Sequence, residues 1–104
     1  RVPESLSLSF KWKEYSPHSL PSPSAFCELR VHTVDGRRLQ TQCFTLGQAG
    51  HYAELKETLS KENDAFMKQL QPGDAICVWF GCSPDSILSI KKFELKIAYR
   101  RAAS

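Results

Sequence analysis

No stretch of this 104-residue sequence comes near the roughly 18 consecutive apolar residues that a membrane-spanning helix needs. The opening residues, Arg1-Val2-Pro3-Glu4, include neither an initiator Met nor an apolar segment of the kind that starts a secretory signal. They read as an excised piece of a longer protein, here a single domain over residues 1–104. Charge of one sign is also missing. The formal net charge is only +3, and Glu54, Glu57, Glu62 and Asp64 are interspersed among the lysines. No basic stripe alternates with exposed aromatics, which argues against nucleic acid.

Catalytic and metal-binding patterns are equally sparse. Cys27, Cys43, Cys77 and Cys82 form no CxxC pair, and the Cys77–Cys82 spacing is not a metal signature. An even count leaves a disulfide framework open. Three of the four fall in strand-like segments, where a free Cys serves as a small buried apolar group. With 41% hydrophobic residues the chain has enough core without bridges, so reduced thiols and an intracellular, cytoplasmic setting are expected. His18, His32 and His51 lack a second ligand at metal-binding spacing. Gly47-Gln48-Ala49-Gly50 has no following Lys-Ser/Thr and so is not a phosphate loop. Asp74 and Asp85 sit in turn sequences without the clustered oxygens that calcium requires. The expectation is no enzyme, no cofactor and no metal.

What the chain does contain is strand patterning. Ser5–Lys13 alternates strictly, with Leu6, Leu8, Phe10 and Trp12 on one face and Ser7, Ser9, Lys11 and Lys13 on the other. Ser16–Ser24 carries Pro17, Pro21 and Pro23 and reads as a connecting loop. Phe26–Val34 alternates again. Asp35-Gly36 then predicts a hairpin to Arg38–Leu46, because both turn residues tolerate positive φ. From Tyr52, apolar residues recur at Leu55, Leu59, Phe66 and Leu70, a spacing that predicts helix over Tyr52–Leu59 and again over Ala65–Leu70. An extended crossover over Gln48–Leu59 is the alternative. After the Pro72-Gly73 turn, Ala75–Phe80 is apolar on both faces and reads as a central strand, with Trp12 and Trp79 in the core. Ile87–Tyr99 reads as a long last strand. Its apolar set changes phase between Ile90 and Phe93, which a β-bulge at Lys91-Lys92 would reconcile.

The run Leu70-Gln71-Pro72-Gly73-Asp74-Ala75-Ile76-Cys77-Val78-Trp79 resembles the L-x-P-G-D-x-I-x-V-W stretch of a poorly characterised fungal intracellular domain. Leu8-Ser9-Phe10-Lys11-Trp12 and Phe93-Glu94-Leu95-Lys96-Ile97 would fill that family's opening and closing strands. Ser83-Pro84-Asp85-Ser86 stands where the family has a further Trp and Asn. The resemblance implies a β-sandwich and no catalytic residues.

Together these readings predict a mainly β chain, an antiparallel β-sandwich or jelly-roll-like domain of about five to eight strands with one or two short helices. The expected function is a non-catalytic protein-interaction or assembly module of a larger intracellular protein. The alternative is a carbohydrate or small-ligand binding sandwich, with a glycan as partner in place of a protein. The expected contact is the last strand, through Lys92, Glu94, Lys96, Arg100 and Arg101.

Overall fold

In the computed structural model, residues 2–15, 25–47 and 50–100 are described. The proline loop with His18, and Arg101, lie outside them. The chain is mainly β, with six strands and one short helix. The strands are β1 (Val2–Tyr15), β2 (Phe26–His32), β3 (Gln42–Thr45), β4 (Ala53–Ser60), β5 (Ala75–Gly81) and β6 (Ile87–Arg100); helix α1 (Ala65–Lys68) precedes β5. They form two antiparallel three-stranded sheets, ordered β4-β1-β6 and β3-β2-β5.

The alternation in β1 decides where the core lies. Leu6, Leu8, Phe10 and Trp12 are all nearly inaccessible, while Ser7 and the other alternate positions face outward. Cys27 and Leu29 of β2 are fully buried, and the buried residues of both sheets form one cluster with Phe66 and Met67 of α1. Phe10 meets Phe80 of β5 edge to face, with centroids 5.1 Å apart, so the apolar faces of the two sheets touch directly.

The expected bulge in the last strand is present. Ser9 stands opposite Glu94 and Lys11 opposite Lys91, so β6 has one residue more than β1 across this interval. The surplus falls at Lys92, whose φ of 54° is a left-handed conformation that usually calls for glycine. Leu88, Ile90, Leu95 and Ile97 all pack against the core as a result.

Three expectations require correction. Tyr52–Leu59 is not helical: Ala53–Ser60 is strand β4, paired with Trp12–Ser5 of β1. Ala53, Leu55 and Leu59 fall at alternate positions of that register, and only Glu57 breaks the apolar series. Pairing with β1 supplies the hydrogen bonds that an isolated helix of this length would lack. The extended alternative is the correct one for that segment.

The β2–β3 hairpin exists, but β3 begins only at Gln42. Arg37 and Gln40 bond across the chain and not to β2: Arg37 donates to both carboxylate oxygens of Asp74 at 2.7 Å, and Gln40 exchanges two hydrogen bonds with Gln69. Gly36 takes the positive φ that the turn requires.

Finally, β5 is an edge strand, and Trp79 is 52% exposed. Ile76, Val78 and Phe80 do face the core, but a three-stranded sheet has a single central strand, and here it is β2. Trp79 points to the sheet's outer face, whereas Phe93, also expected in the core, faces inward against Phe80 but sits on an edge strand and is 45% exposed.

Candidate interaction surface

Strand β6 is fourteen residues long, about 47 Å at the usual rise, and the molecule's longest dimension is 56 Å. Among the described residues it pairs only with β1, so no further described strand is bonded to its other edge. Strand length and apolar alternation build this edge. The bulge at Lys92 keeps its apolar side chains on one face from Leu88 to Ile97.

That apolar face is only partly covered. Leu95 and Ile97 are half-buried, while Phe93 and Tyr99 are 45% and 47% exposed. Phe93 rests against Phe80 edge to face at 6.0 Å, which fixes the ring and leaves its outer side to solvent. The opposite face carries the expected charges. Glu94 and Lys96 stand opposite Ser9 and Ser7 and form an ion pair at 2.7 Å. This contact holds the Glu94 carboxyl below its ordinary pKa and raises that of Lys96. Lys92 is set apart at the bulge, and Arg100 lies at the far end, opposite Val2. Of the five residues expected at the contact, the structure therefore joins Glu94 to Lys96 and spreads Lys92 and Arg100 along the strand; Arg101 is outside the described residues.

The sequence did not reveal the outer face of the second sheet. There Arg30 lies over the Trp79 ring, 4.5 Å from its centroid, and pairs with Glu28. Phe26 lies across Gly81, where a Cβ would have no room. The signal was present in the apolar character of both faces of Ala75–Phe80, which fits an exposed aromatic as well as a buried one.

The thiols and histidines carry no assembled chemistry. All four cysteines are free. Burial, reinforced by nearby Cys43, raises the Cys27 thiol to about 11, so it is protonated at neutral pH and a poor nucleophile. Among the described residues no group of three or more His, Cys, Asp and Glu side chains could hold a metal. No helix there is long and apolar enough to cross a membrane. Asp74, expected to serve its own turn, accepts from the Gln71 N–H at 2.9 Å as well as from Arg37, and so belongs to the scaffold. No known protein family, curated protein or solved structure matches this chain.

Proposed function

We propose that this chain is a non-catalytic protein-interaction module, its two sheets packed as a β-sandwich, which takes an extended segment of a partner protein along the free edge of β6. The observation that carries this reading is a fourteen-residue strand that, among the described residues, pairs with a strand on one side only, with Phe93 and Tyr99 partly exposed on it. Main-chain bonds along such an edge would supply affinity, and alternate side-chain positions would supply specificity. Lys92, Glu94, Lys96, Arg100 and Arg101 would then meet the partner's outward side chains. The four free thiols support a reducing, intracellular setting within a larger protein.

Selection from a displayed random-peptide library tests the proposal. Enriched peptides should slow the exchange of β6 amides and leave those of β3 and β5 unchanged. Enriched peptides that protect only β5 would refute it.

A carbohydrate or small-ligand site is the second reading, favoured by the exposure of Trp79. Arg30 already occupies one face of that ring, which makes it a poorer stacking platform. Glycan-array binding lost in Trp79→Ala would put this reading first.

A further inference from the structure

We propose that the outer face of the β4-β1-β6 sheet binds an acidic peptide segment of a protein partner at Lys11, Lys13 and Lys91, gathered around Tyr52. This site is separate from the free edge of β6 and does not depend on it.

The register brings these charges together. On the outer face Lys11 stands directly opposite Lys91, and like charges in that relation destabilise a sheet. Tyr52, just before β4, lies across β1. Its ring centroid is 3.7 Å from the Lys91 ammonium and 4.9 Å from that of Lys13. One aromatic ring thus holds cations from two strands, next to a third lysine. Two other lysines of this face are neutralised: Lys96 by Glu94 at 2.7 Å and Lys56 by Glu54 at 3.7 Å. Among the described residues Lys11, Lys13 and Lys91 have no such carboxylate, although Glu54 is the β4 neighbour of Lys11.

The backbone is arranged to maintain the cluster. The left-handed Lys92 restores the phase of β6, which sets Lys91 on the outer face opposite Lys11. Strained residues of this kind persist where the surrounding structure enforces them, and they concentrate at binding sites. Next along the same face, Tyr15 and Ile87 form an exposed cross-strand pair, 65% and 63% accessible. Lysines beside an exposed aromatic and aliphatic pair suit a peptide that carries carboxylates next to an apolar anchor.

The same details disfavour other anionic partners. Tyr52 already holds two lysine ammonium groups over its ring, which a stacking base would have to displace or share. Serines fill the rest of β1's outer face, which leaves little apolar surface to enter a bilayer.

Fluorescence anisotropy with a labelled oligoglutamate peptide containing one central leucine tests the proposal, together with amide chemical-shift mapping on the unmodified chain. We expect saturable binding that is largely lost at about 0.5 M salt, where the screening length is only a few ångströms. Lys11→Gln/Lys13→Gln/Lys91→Gln should weaken binding about tenfold, whereas Lys96→Gln should change it less than about twofold. Shifts should centre on Lys11, Lys13, Tyr52 and Lys91. The proposal is overturned by shifts centred elsewhere, by equal losses in the triple variant and Lys96→Gln, or by no saturable binding at low salt. Tighter binding to phosphatidylserine vesicles or to a single-stranded oligonucleotide would also overturn it, in favour of a lipid or nucleic-acid partner.

Discussion

β1 and β6 are the same length, lie side by side, and each carries an apolar side chain at nearly every second position. Their fates differ. In β1, Leu6, Leu8, Phe10 and Trp12 are at most 6% exposed, whereas in β6, Phe93 and Tyr99 remain nearly half exposed. β1 has a neighbour on both sides, β4 and β6, while among the described residues β6 has β1 alone. The second sheet repeats the contrast on its inner face: Cys27 and Leu29 of central β2 are fully buried, while Ile76, Val78 and Phe80 of edge β5 are only half-buried. A residue's place in the sheet therefore governs burial here more than its own strand pattern, and the edges are where apolar surface is left for a partner.

Core truncation should separate the two classes most clearly. Phe10→Ala removes a buried ring that contacts Phe80 and should cost about 3–5 kcal/mol in denaturant unfolding. Phe93→Ala and Trp79→Ala should each cost about half as much, roughly 1.5–2.5 kcal/mol, because about half of each residue is already in water. Equal losses at Phe10 and Phe93 would break the comparison.

A pH experiment sharpens it on the central strand of the second sheet. Burial raises the Cys27 thiol from the ordinary 9.0 to about 11, so the folded state holds its proton more tightly than the unfolded chain. That contribution is complete below pH 9.0 and is lost as pH rises towards about 11. The melting temperature should fall more steeply across this window in the native chain than in Cys27→Ala.

The smallest effect concerns the edge strand's bulge. Lys92→Gly should leave stability unchanged or raise it by about 0.5 kcal/mol, since relief of the left-handed strain outweighs the added chain entropy. A loss above about 1 kcal/mol would mean that the Lys92 side chain itself holds the strand.

Much of this contrast was legible before the structure, and the rest was hidden for identifiable reasons. The Leu6–Trp12 alternation gave β1 and its buried face, and the phase change between Ile90 and Phe93 located the bulge at Lys92. Glu57 concealed β4: in its place an apolar residue would have completed a period-two series, whereas Tyr52, Leu55 and Leu59 also fit a helix. β3 was drawn too long because the partners of Arg37 and Gln40 are Asp74 and Gln69, more than two dozen residues away. No local pattern records such contacts. Trp79 was misplaced because it points to the outer face of its sheet, and Phe93 because the strand order makes β6 an edge; both are properties of the whole fold. Of the candidate surface, Glu94 and Lys96 were visible as the charged face of the last strand. The Lys11–Lys91 juxtaposition was not, since it requires the β1–β6 register.

An open outer edge on β6 is what would let a partner segment pair there. Residue-resolved amide hydrogen exchange of the free chain measures this directly. Amides of β1 from Ser5 to Trp12, flanked by β4 and β6, should exchange slowly throughout. Amides of β6 should alternate, slow where they bond to β1 and fast where they face outward. Uniformly slow exchange along β6 would show that the edge is already covered and would contradict the account.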